Sequence, residues 1–278
     1  GTVSHPDLKI NFKPNFHFET PVGSPRRGRK LFANYTMQWQ LVEKTVSHFR
    51  KSEYTYTPQW QVGYEDPGHI ISYSALINVD RPNSAVTKIS LTLKASKRIN
   101  RVGTRFKFRT FLGVVAGEDA LAPYFRLSSW TPNTDYLRDG YAANRGSTNS
   151  DVFSKQIIQN EGAFRTSTVI GSSNKWLFSS HLNFRPHKYV PIEFFFGFAL
   201  FPGPQSIYPD EIGKAFEMGV SIIIIEDIIE MHIPFAWDNI TGNRVKIDQP
   251  RFYDRIRFQL NLERIKPRKY LHRKIFDR

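Results

Sequence analysis

Thr104-Arg-Phe-Lys-Phe-Arg-Thr110 and Trp176-Leu-Phe-Ser-Ser-His-Leu-Asn-Phe184 decide how this chain is read. In the first run Phe106 and Phe108 alternate with Lys107 and Arg109. In the second, Trp176, Phe178, Ser180, Leu182 and Phe184 alternate with Leu177, Ser179, His181 and Asn183. A strand turns successive side chains to opposite faces, so each run predicts a sheet with one mainly apolar and one mainly polar face.

The pattern recurs on both sides of this pair. Alternation predicts strands over about Leu8–Thr20, Asn34–Leu41, Glu53–Tyr64, Ile71–Val79, Ile89–Ala95, Thr104–Ala116, Tyr124–Trp130, Trp176–Phe184, Val190–Phe201, Phe216–Ile224, Ile228–Phe235 and Arg255–Ile265. No stretch shows a 3.6-residue period, and no unit repeats at 20 to 50 residues. The fold class read from this is all-β, with about 12 antiparallel strands.

The environment follows from three features. The apolar faces are rich in Trp, Tyr, Phe, Ile and Leu, and the polar faces in Gln, Asn, Ser, Thr, Lys and Arg. The connections alternate in length, with short turns near 48–51, 80–83, 118–120, 185–188 and 226–227. Long ones fall near 21–30, 131–162, 202–214 and 238–254. Strands of about 9 to 12 residues suit a tilted crossing of a hydrocarbon layer. Together these predict a transmembrane β-barrel of a Gram-negative outer membrane, with one long extracellular or lumenal loop and both termini in the periplasm. A soluble sandwich would turn the apolar faces inward. Twelve faces this aromatic would then need a very wide interior.

Composition agrees with a folded, non-disulfide chain. The 278 residues are 40% hydrophobic and 14% aromatic, with 23 Phe, 12 Tyr and no Cys. A disulfide scaffold and a thiolate metal site are excluded. The net charge is +14, but the cations are spread along alternating strands, so nucleic acid is not expected as a partner. No apolar run of about 18 residues predicts a membrane helix. Residues 1–265 are read as the barrel and 266–278 as a basic tail. The first residues have no signal-peptide pattern, which is read as a fragment or a processed product.

Parity assigns the faces. Tyr35, Trp39, Tyr73, Leu91, Phe106, Phe108, Phe178 and Phe196 are expected against lipid. Lys88, Lys94, Lys107, Arg109, Arg185, Arg255 and Arg257 are expected in a lumen that is polar and biased positive. That lumen is either an anion-preferring pore or a space where the cations pair with Glu and with the long loop; the second is preferred. Within Thr131 to Gly162, the residues Asp135, Tyr136, Arg138, Asp139, Tyr141, Arg145, Gln156 and Glu161 are expected to form a plug or docking element.

Catalytic and metal motifs are missing. No H-E-x-x-H, nucleophile elbow or phosphate-binding glycine loop occurs. Glu230 and His232, two apart on one strand, are read as a satisfied pair. Ser179 and His181 share a face, so a lumenal Ser/His enzyme is the catalytic alternative, although no third orienting group is visible. No cofactor is implied. The partners expected are lipid or lipopolysaccharide and other outer-membrane or periplasmic subunits.

Asp135-Tyr-Leu137, Asn144-Arg-Gly146, Ser154-Lys-Gln156, Asn160-Glu-Gly-Ala-Phe-Arg165 and Asn174-Lys-Trp-Leu177 resemble the C-terminal region of large Bacteroidetes proteins. The segments 226–235 and 254–262 are similar to it as well. Those proteins carry upstream a catalytic domain like the zinc aminopeptidases of the membrane alanyl aminopeptidase family. The resemblance implies a membrane-embedded C-terminal part of a peptidase-like polypeptide, with the catalytic domain upstream of this chain. The family's zinc ligands and catalytic Glu have no matching positions here. Leu137-Arg-Asp-Gly-Tyr141 also resembles the Arg-Gly-Tyr/Phe loop of outer-membrane assembly and secretion barrels. An Asp separates its Arg from its Gly, and about 12 strands fall short of the 16 in those barrels.

Overall fold

The computed structural model describes residues 9–12, 15–23, 28–46, 49–68, 71–83, 86–99, 103–117, 125–127, 155–157, 162–166, 168, 170–202, 212–225 and 228–260. For 9–12, 37–46, 49–58 and 81–83 it describes the backbone alone. Strands β1 (Lys9–Phe12) and β2 (Asn15–Pro21) come first, then β3 (Lys30–Val46), β4 (Phe49–Asp66), β5 (Ile71–Asn83) and β6 (Val86–Arg98). After β7 (Arg105–Ala116) the chain resumes as β8 (Trp176–Arg185), β9 (Ile192–Pro202), β10 (Ile212–Ile225) and β11 (Ile229–Trp237). Helix α1 (Asn239–Asp248), a 3₁₀ turn (Phe252–Arg255) and β12 (Arg257–Leu260) follow.

The strands form one antiparallel sheet. From β3 onward each pairs with its neighbour in sequence, while β1 and β2 share the outer side of β3. The sheet therefore has one position fewer than its 12 strands. Among the described residues it is open, with β1 and β2 on one edge and β12 on the other.

Three expectations change here. Tyr124–Trp130 was expected to be a strand. Of its residues, Phe125, Arg126 and Leu127 are described, and they lie outside the named strands; Phe125 makes one isolated bridge, to Ser173. The expected strand Leu8–Thr20 is described as two short pieces, Lys9–Phe12 and Asn15–Pro21. The segment 238–254, expected as a loop, holds α1. Asp238 caps that helix by accepting from Thr241 N at 3.0 Å.

Losing one crossing reverses the phase of the sheet. The breaks at 47–48 and 84–85 lie at the same end as the long connections 117–175, 203–211 and 238–256, while the breaks at 67–70, 99–104, 186–191 and 226–228 lie at the other. With an odd number of positions, Lys9 and Leu260 sit at opposite ends of the sheet. The expectation that both chain termini share one side falls on residues 1–8 and 261–278, which lie outside the described residues. The β3–β4 hairpin also outgrows its neighbours. All of β3 pairs with β4, but β4 pairs with β5 only from Gln59 to Asp66. At about 3.3 Å per residue, 17 residues span about 56 Å, against about 40 Å for the 12 of β7.

The two faces of the sheet differ. Among the described residues, one is covered by 125–127, 162–166, 168 and 170–173; the other is open. On β9, Glu193, Phe195, Gly197, Ala199 and Phe201 are buried, while Ile192, Phe194 and Phe196 between them are exposed. The apolar core lies on the covered face toward the long-connection end. It comprises Phe111, Phe125, Leu127, Phe164, Leu177, Ala199, Phe201 and Ala215. No helix among the described residues is long and apolar enough to cross a membrane, which leaves a strand-built crossing untouched.

Candidate functional site

The covering segment is seated by small residues on the strands beneath it. Gly113 lies against the ring of Phe125, which a Cβ there would strike. Phe125 and Ser173 exchange backbone hydrogen bonds of 2.9 and 2.8 Å, and Phe164 N donates to Leu127 O at 2.6 Å. On β10 the covered positions read Gly213, Ala215, Glu217, Gly219 and Ser221, a run of small residues around one acid.

That acid holds the segment down. The Glu217 carboxylate is fully buried and accepts from Arg165 N at 2.7 Å, Thr166 N at 2.8 Å and Thr166 Oγ1 at 2.7 Å. Trp237 Nε1 donates to Thr166 Oγ1 at 2.8 Å. The Arg165 guanidinium lies 4.4 Å over the Phe195 ring and donates to Asn183 Oδ1 at 3.2 Å. Burial pulls that guanidinium below its ordinary range, and Glu217, Glu193 and Glu230 pull it back up. A buried carboxylate is tolerable only with such partners; here two successive backbone N–H groups, a hydroxyl and a nearby cation supply them.

Two Ser–His arrangements lie on the covered face. Ser221 and His232 are cross-strand partners on β10 and β11, joined Oγ to Nδ1 at 2.8 Å. Both are fully buried, which leaves no approach for a substrate. Ser179 and His181 are adjacent on one face of β8 and also buried, but neither Ser179 Oγ nor a His181 ring nitrogen makes a well-formed hydrogen bond. The His181 ring meets the edge of Phe164 at 5.6 Å. The nucleophile-to-base contact that a hydrolase needs is absent at Ser179. Where it exists, at Ser221, the hydroxyl is sealed. Among the described residues no group of three or more His, Asp or Glu could hold a metal ion.

The sequence-picked cations divide by height. Lys88 sits near the core, 4.8 Å over the Phe125 ring. Lys94, Lys107, Arg109 and Arg185 lie on the same face toward the short-turn end, with Lys107 Nζ 3.3 Å from Glu193 Oε2. Arg257 is buried on β12 beside His232. Arg255 belongs to the 3₁₀ turn, where it donates to Gln249 O at 3.0 Å and Pro250 O at 3.2 Å.

On the open face Tyr73 is 44% exposed, Phe108 45% and Phe196 38%. Leu91, Phe106 and Phe178 are half-buried, and Tyr35 stands between Phe16 and Trp60. The Trp39 side chain lies outside the described residues.

Of the expected plug residues, Asp135, Tyr136, Arg138, Asp139, Tyr141, Arg145 and Glu161 also lie outside the described residues. Gln156 is described and buried. It runs parallel to β12 at Phe258, and its Nε2 donates to Leu260 O at 3.2 Å. Ile157 N donates to Phe258 O at 2.8 Å, and Lys155 Nζ to Tyr253 O at 2.8 Å. Residues 155–157 thus lie along β12 on the side away from β11. The latch residues Arg165, Thr166 and Glu217 were not singled out in the sequence. The one available signal was a lone acid in a run of small residues on β10. No known family matches the chain, and no curated protein is similar to it.

Proposed function

We propose that this chain is a bacterial outer-membrane β-barrel, stoppered by its own connection between β7 and β8, that anchors or docks a periplasmic peptidase-like domain or a multiprotein complex. The observation that carries the membrane reading is the inversion of the two faces. Phe108, Leu112, Leu182, Phe194, Phe196 and Met218 are exposed on one side, while Glu193, Glu217, His181, His232 and Arg257 are buried on the other. Water would not leave an apolar surface of this extent uncovered, whereas lipid solvates it. Strands β6 to β9, of 10 to 13 residues, have the length of a tilted crossing. In this reading the long-connection end faces outward and the short-turn end faces the periplasm.

The latch at Glu217 supports a closed barrel over an anion-preferring pore, because it fixes the covering segment against the wall of β8 to β11. The docking part rests on the resemblance of 135–177 and the C-terminal segments to peptidase-bearing Bacteroidetes proteins. Reconstitution into planar bilayers tests the choice: the parent chain is expected to insert and stay electrically silent. Steady anion-selective conductance would establish the pore instead. Failure to enter lipid vesicles, with the chain folded, would end the barrel reading.

A further inference from the structure

The exposed apolar surface continues past the end of the sheet. On α1, Ile240 and Ile247 are 69% and 72% exposed, more than Phe108 or Phe196 on the open face of the strands. Seven residues apart, they share one side of the helix, while Thr241 and Val245 are buried on the other. Phe252 and Tyr253 follow in the 3₁₀ turn and are exposed as well. Water gives these four side chains no reason to be turned out together; a surface that takes them out of water does.

The position of the helix says which surface. β12 pairs with β11 only between Ile229 and His232. Beyond that point residues 233–237 of β11 have α1 and the 3₁₀ turn beside them. A Cβ on Gly242 would touch Trp237, and the Arg255 guanidinium lies 5.8 Å over the Trp237 ring. Asp238 ties the helix to the sheet: Oδ1 accepts from Phe216 N at 3.1 Å, and Oδ2 caps α1. Phe216 stacks with Phe196 on the open face, where Phe235 is also exposed. The helix therefore adjoins the open apolar face at its long-connection end.

From this placement we infer that α1 and the 3₁₀ turn are an interfacial anchor whose partner is a lipid surface, with Ile240, Ile247 and Phe252 entering the boundary between headgroups and acyl chains. The inference rests on the barrel reading for the side of the membrane, which is the outer one. The charges suit shallow entry. Arg244, between the two isoleucines, is paired with Asp248 at 2.8 Å, so that side of the helix brings no bare charge to the lipid. Arg251 lies 5.6 Å over the Tyr253 ring, a cation and an aromatic at headgroup level. The backbone limits the depth. A strand edge is not tolerated in hydrocarbon, whereas a helix satisfies its own N–H and C=O groups and its ends can reach water at the interface.

The test uses the full chain, which has no native cysteine, reconstituted into vesicles of phosphatidylcholine and phosphatidylglycerol. Ile247→Cys and, separately, Phe108→Cys carry an environment-sensitive fluorophore. Iodide quenches from the water, and a phospholipid with a nitroxide near the headgroup end of its acyl chain quenches from the bilayer. The Ile247 label is expected to be quenched strongly by the nitroxide and little by iodide. A label at Lys246→Cys is then compared with and without Ile240→Asn/Ile247→Asn. Both isoleucines are exposed, so the fold tolerates the change, and most of the nitroxide quenching at Lys246 should be lost.

Iodide quenching at Ile247 beside nitroxide quenching at Phe108 overturns this inference and leaves the barrel standing. Shielding of the Ile247 label from both quenchers means that protein covers that side of the helix, and overturns it too. Unchanged quenching at Lys246 in the double variant has the same consequence. Iodide quenching at both sites ends the barrel reading and this inference together. Nitroxide quenching at Ile247 without any at Phe108 keeps the anchor and ends the barrel reading alone.

Discussion

At the scale of single residues the molecule depends most on Glu217. Its carboxylate receives hydrogen bonds from Arg165 and Thr166, 52 and 51 positions away in the chain. Glu217→Ala would leave two buried N–H groups and a hydroxyl without their shared acceptor, and would take a negative charge away from the buried Arg165 cation. Breaking a buried charged cluster from one side costs about 3 to 5 kcal/mol, so a loss of that order is expected in urea unfolding of the reconstituted protein. Glu217→Gln keeps the shape and one acceptor oxygen, and should cost distinctly less. Equal and small effects would mean that apolar packing around Phe164 holds the segment instead. The latch was not legible in the sequence for a physical reason. Each partner is unremarkable locally, and only the small residues Gly213, Ala215, Gly219 and Ser221 record that something must fit against β10. The Ser221–His232 pair was hidden in the same way, because cross-strand register decides it, whereas Ser179 and His181 stood out merely by being close in the chain.

At the scale of elements, strand alternation was a dependable guide from β3 to β11. Each strand there has two distinguishable faces, and the period of two is a property of the backbone. It misled at Tyr124–Trp130. Phe125 and Leu127 alternate as a strand would, but both are buried in the same core as parts of the covering segment. It was silent on α1, whose apolar Ile240, Val245 and Ile247 form no continuous stripe and whose Gly242 weakens the helix interior. The usable sign was Asp238 three residues ahead of Thr241, an N-cap spacing. The faces themselves can be tested element by element. Phe108→Arg and Leu91→Arg, near the middle of β7 and β6 on the open face, should each cost about 2 to 4 kcal/mol when unfolding is measured in lipid. Lys94→Ala, on the opposite face of β6, should stay within about 1 kcal/mol of the parent. Similar costs for the two classes would mean that the open face does not meet hydrocarbon.

At the scale of the whole molecule the open question is the seam. All of β2 is exposed, and its outer side pairs with no strand among the described residues. At the other edge, β12 has only the short parallel contact from Gln156 and Ile157. Lipid does not tolerate such edges, because unpaired N–H and C=O groups find no partner in hydrocarbon. If the chain crosses a membrane as a monomer, the two edges must meet, which requires β2 to take the side of β12 that residues 155–157 line in this structure. Among the described residues the number of positions is odd, and β1, β2 and β12 all run from the long-connection end toward the short-turn end, so a barrel closed by these strands carries one parallel seam in an otherwise antiparallel wall. The absence of cysteine makes this directly measurable. Single cysteines at Phe16, Phe18 or Thr20 on β2, each combined with Phe258→Cys on β12, place thiols on the two edges. Neighbouring strands are near enough for disulfides to form. Oxidation in lipid should give at least one fast-migrating monomer on a denaturing gel, the mark of a bond within one chain. Bonds formed only between chains would mean that the edges pair between copies, and the membrane unit would then be an assembly built from open sheets.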